Sequence, residues 1–108
     1  MSDKPKPTRL ELPITRQMPR KLIIEFERYG GGCFHAHAHA FVRAGDRMVS
    51  VAFGGAHKLE DVSLRYATDA PVLWLGHAQF ELTDKEAAEV ERVFVPVGLR
   101  IEHGPVLP

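Results

Sequence analysis

His35, His37 and His39 stand at alternate positions in the segment Cys33-Phe34-His35-Ala36-His37-Ala38-His39-Ala40-Phe41-Val42-Arg43. In an extended chain alternate side chains share a face, so all three imidazoles project the same way. Two kinds of chemistry suit such a row: ligation of a transition metal (zinc, nickel or copper) and contact with a partner. Same-face neighbours on a strand lie about 6.6 Å apart at Cα. Two imidazoles can converge on one ion from that spacing, with nitrogens at the roughly 2.0–2.1 Å that zinc requires. The outer pair, about 13 Å apart on a straight strand, cannot easily share that ion. A complete site needs a further ligand, from Cys33, His77, Glu81 or a second chain, and the candidate set is His35, His37, His39 and His77.

Other chemistry is sparse. The chain has one cysteine, so no internal disulfide forms and a cysteine-rich zinc site is excluded. Cys33 and His35 are two apart on one strand, too far for a direct hydrogen bond, which argues against a thiol nucleophile. There is no HExxH or CxxC pair, no P-loop and no GxGxxG. A Gly-x-Ser-x-Gly nucleophile elbow is also lacking. Gly30-Gly31-Gly32 and Gly54-Gly55 read as turn glycines. The reading leans to a non-enzymatic chain with no cofactor beyond the possible metal.

The elements that must position the row follow from periodicity. Leu22, Ile24 and Phe26 alternate with Ile23, Glu25 and Glu27, which predicts a half-buried strand from Lys21. The histidine strand runs from about Cys33 to Arg43 and turns at Gly45-Asp46 into a strand from Met48 to Phe53. Folding this hairpin on paper pairs Val42 with Val49, Ala40 with Val51 and Ala38 with Phe53 on an apolar face. The imidazoles take the other face, with Phe41 opposite Ser50 and His39 opposite Ala52. Residues 57–70 suit a strand somewhat better than a helix. Val72 to Leu82 reads as one strand with Trp74, Ala78, Phe80 and Leu82 inward, leaving Leu73, Leu75, His77, Gln79 and Glu81 outward. Thr83-Asp84-Lys85-Glu86 matches a capping box and opens a helix that Pro96 ends. Val97 to Glu102 alternates as a last strand. The expected fold is α+β: an antiparallel sheet of four to six strands with one C-terminal helix packed on one face.

The 108 residues suit a single domain. Fourteen basic and fourteen acidic residues cancel, so no global field draws the chain to nucleic acid or an anionic membrane. The charge is uneven, however. Residues 1–21 hold six basic side chains (Lys4, Lys6, Arg9, Arg16, Arg20, Lys21) against two acidic ones, and half of the prolines. Residues 1–19 therefore read as an extended basic arm and 20–108 as the folded domain. The arm's cations are the candidate nucleic-acid contacts, but acidic Glu25, Glu27 and Glu81 on the sheet argue against that role. The longest apolar runs, 70–76 and 93–99, are too short to span a bilayer, and the start has no apolar signal core. The expectation is a soluble cytoplasmic protein without a membrane partner.

One helix covers one face of a sheet. The imidazole face, with Tyr29, His35, His37, His39, Phe41, Arg43, Leu73 and Leu75 as its candidate contacts, then has no cover of its own. Mixed aliphatic and aromatic surfaces of that kind mark partner contacts. The functional expectation is a binding or assembly module acting through this face, most simply as a homodimer or else with another protein. Transition-metal binding by the histidine row is the alternative, and a nucleic-acid accessory role for the arm the second alternative.

Overall fold

A computed structural model describes residues 7–28, 34–66 and 69–103. Sheet A comprises β1 (Thr8–Leu12), β2 (Arg20–Arg28), β3 (Phe34–Ala44) and β4 (Arg47–Ala56), antiparallel and paired in that order. Sheet B comprises β5 (Val62–Tyr66), β6 (Pro71–Leu75), β7 (Ala78–Glu81) and β8 (Arg100–His103), in the order β7-β6-β5-β8. Within it β8 runs parallel to β5. The single α-helix among the described residues, α1, spans Asp84–Phe94. The fold is α+β as expected, but the strands divide into two four-stranded sheets where one sheet was anticipated. No helix among the described residues is long and apolar enough to cross a membrane.

Alternation builds sheet A. Leu12, Leu22, Ile24, Phe26, Ala36, Ala38 and Ala40 are buried on one face. The other face carries Arg9, Glu11, Lys21, Ile23, Glu25, Glu27 and the three imidazoles. Residues 8–12, expected as part of an extended arm, pair in full with β2, and Leu12 is buried. Leu10 and Leu12 alternate with Arg9 and Glu11, a short strand pattern between Pro7 and Pro13.

The apolar side of sheet A is covered jointly. Phe94 of α1 packs on Phe26 with ring centroids 4.4 Å apart. Over β4 the cover is sheet B: a β-carbon on Gly54 would stand 2.3 Å from Cβ of Ala78. That separation is far inside van der Waals contact, so only glycine lets the layers meet there. Arg20 ties the same layers together, its guanidinium meeting Glu86 through Nη1–Oε2 at 3.0 Å and Nη2–Oε1 at 3.2 Å. Its Nη2 also donates to the Glu81 carbonyl at 2.6 Å. The capping box forms as expected, with Glu86 N donating to Thr83 Oγ1 and Thr83 N donating to Glu86 Oε1.

Two strand readings are corrected. The stretch read as one strand from Val72 to Leu82 is a hairpin, turning at Gly76-His77 with Gly76 at φ 59°. A two-residue loop with glycine first is a tight hairpin turn, and it pairs Leu75 with Ala78 and Leu73 with Phe80. Leu73 and Leu75 are therefore fully buried core residues, not outward contacts, while Trp74 is half-buried on the outer side beneath Arg65. The second correction is a β-bulge between Ala40 and Phe41 in the β3–β4 pairing. Near the turn the register is as expected, Val42 with Val49 and Phe41 with Ser50. Beyond it Val51 is the extra residue, Ala40 meets Ala52, and Phe53 lies opposite His39 rather than Ala38. One inserted residue reverses the facing of everything that follows, so Phe53 joins the imidazole face.

Candidate functional site

The bulge turns three imidazoles into a longer feature. His57 stacks on His35 at 5.0 Å between centroids, and His35 lies 5.3 Å from His37. Phe53 sits against both His37, at 6.1 Å, and His39, at 5.2 Å, and His39 stacks on Phe41 at 4.4 Å. Six rings thus run without a break across β3 and β4 in the sequence His57, His35, His37, Phe53, His39, Phe41. Sheet B and α1 lie on the opposite side of sheet A, so among the described residues these rings have only their own neighbours for cover. Phe53 is open, at 62% exposed.

Two of the imidazoles have a polar partner. His37 Nε2 lies 3.4 Å from Glu25 Oε1, and His39 Nε2 meets Ser50 Oγ at 2.5 Å. The Ser50–His39 pair has the separation of a nucleophile and its base, but no carboxylate orients His39 among the described residues. The contact holds the His39 ring against β4.

The metal reading finds no assembled centre. No three His, Cys, Asp or Glu side chains among the described residues are placed to hold an ion together. His77 occupies the β6–β7 turn and Glu81 the end of β7, both on sheet B. Phe53, an apolar ring, packs against both His37 and His39 where shared ligation would need a polar space. Cys33 and Tyr29 lie outside the described residues, as do Lys4 and Lys6.

The basic candidates are largely occupied. Arg20 is committed to Glu86 and Glu81. Arg9 pairs with Glu11 at 2.6 Å and Lys21 with the same carboxylate at 3.2 Å. The hydrogen bond from Lys21 and the charge of Arg9 hold the Glu11 carboxyl below its ordinary range. Arg16 is exposed in the segment that joins β1 to β2. Arg43 is exposed at the end of the ring face, where Glu11, Pro13, Ile14, Lys21, Arg43 and Met48 line an open depression of about 590 Å³.

Sequence reasoning found the row and its face but not Phe53 or His57. The bulge that delivers Phe53 leaves no local signature. His57 sits just past a strand that continues three residues beyond its expected end, through Gly54-Gly55 to Ala56. Comparison with protein families, with curated proteins and with solved structures gave no match.

Proposed function

We propose that the chain is a non-enzymatic assembly module and that a second copy of it meets the imidazole-bearing side of sheet A. The observation that carries this reading is the unbroken row of six rings with the open Phe53 inside it. Histidine and phenylalanine side chains offer large rigid contact area at small entropic cost, which suits them to interfaces. The composition of the face favours a copy over a strongly charged partner. Its acids and bases are intermixed and paired, Arg9 with Glu11 and Glu25 and Lys21 with Glu11, so a second copy related by a two-fold axis meets no large field of like charge.

Light scattering over a wide concentration range tests the proposal. The expected outcome is a mass that rises to that of a dimer, and that falls back when Phe53 is replaced in Phe53→Ser. A mass fixed at that of one chain throughout rejects it.

A further inference from the structure

The two edges of sheet A are built differently. The β1 edge is five residues long, carries Arg9 and Glu11, and is flanked by Pro7 and Pro13. Short length, charge and proline are the devices by which proteins keep an edge from pairing with another strand. The β4 edge has almost none of them. It runs for ten residues, and from Met48 to Ala56 it contains no charged residue and no proline. Val49 is 44% exposed and Val51 55% exposed. Its one irregularity is the bulge at Val51, which divides the edge into two regular runs.

We infer that the second copy joins by antiparallel pairing of β4 with its own β4, making one continuous eight-stranded sheet. This rests on self-association alone: the contact lies along the sheet edge, and the imidazole-bearing sides of the pair then form one surface instead of facing each other. Three features favour a copy as the added strand. The uncharged run opposes itself without like-charge contact. Its ends are complementary, since two-fold pairing brings the Asp46-Arg47 end of each chain beside the Lys58-Leu59-Glu60 end of the other. Pairing along the two regular runs also supplies several main-chain hydrogen bonds, a substantial share of the number in an ordinary interface. Because Met48, Ser50 and Phe53 lie on the imidazole side of β4, the two ring rows then adjoin on a single face.

The test uses the full chain and three substitutions. Val51→Lys places a charge on the edge without touching the core, and Val51→Thr keeps an uncharged β-branched residue there. Ile23→Asp alters the imidazole face on β2, two strands from the edge. Edge pairing predicts that Val51→Lys halves the molar mass measured by light scattering, while Val51→Thr and Ile23→Asp leave a dimer. Hydrogen exchange on the wild type adds a readout independent of the variants: backbone amides of β4 gain protection as concentration rises. A Val51→Lys protein that stays dimeric, with Ile23→Asp monomeric, overturns the edge route and leaves self-association through the face standing. Absence of concentration-dependent protection in β4 of a dimeric wild type overturns it likewise. A wild type that is monomeric at every concentration removes both.

Discussion

The outer faces of the two sheets handle the same difficulty in opposite ways. Sheet B turns the only tryptophan, Trp74, away from the core. It then covers the ring with its own cation, because the Arg65 guanidinium lies 4.3 Å from the ring centroid. That cation is itself held by Glu102 at 2.9 Å and Ser63 Oγ at 3.2 Å. Sheet A turns Phe53 outward and gives it only imidazoles, which stack beside it and leave it open. An aromatic residue on an outer sheet face therefore does not by itself announce an interface; what matters is whether the chain supplies its own lid.

The widest test of this contrast asks whether the sheets stand or fall together. Phe94→Ala removes the ring that joins α1 to Phe26, and should cost about 3–5 kcal/mol. Urea unfolding followed by Trp74 fluorescence and by far-ultraviolet dichroism should shift as one transition. Separate transitions would break the comparison, since the faces would then belong to independent units. Next in size is Glu86→Ala, which strands the part-buried Arg20 charge and dismantles the capping box. A loss of about 3 kcal/mol is expected, against about 1 kcal/mol for Thr83→Ala, which removes the cap alone.

Smaller effects sharpen the contrast directly. Arg65→Ala uncovers Trp74 and should cost about 0.5–1 kcal/mol, with a change in tryptophan emission. Phe53→Ser should change stability by no more than about 0.5 kcal/mol, its effect falling on association. Equal stability losses in the two variants would mean that Phe53 is packed as internally as Trp74. The subtlest effect lies at the margin of sheet B. Burial pushes the Tyr66 phenol up to about 12, helped by its hydrogen bond to the Glu91 carboxylate. Because the folded value lies above the ordinary 10.0, the neutral phenol is favoured by folding. Its contribution is complete below about pH 10 and is lost as pH rises through about 12. Alkaline absorbance titration should show one late tyrosine, absent in Tyr66→Phe and shifted earlier in Glu91→Gln.

The imidazole face was legible in the sequence because alternation of His with Ala over five residues puts all three imidazoles on one side of a strand. The capping box was legible because its chemistry is local. What escaped were changes of phase. Leu73 and Leu75 share parity, and Ala78, Phe80 and Leu82 share the opposite one; that switch across Gly76-His77 signals a two-residue hairpin loop, yet a continuous strand accommodates most of the same residues. The Val51 bulge has no comparable marker, since valine and alanine suit either facing. Thr8–Leu12, read as part of the extended arm, pairs as an edge strand, where flanking prolines cost nothing.

Gly54 carries a consequence for the opposite side of its own strand. With the reverse surface pressed against Ala78 at this point, a methyl group there would act as a wedge, and the least constrained thing to yield is the free margin of the sheet. Phe53, the adjoining residue, would swing with it. The place of Phe53 in the ring row is thus set from behind, by the bare backbone of its neighbour.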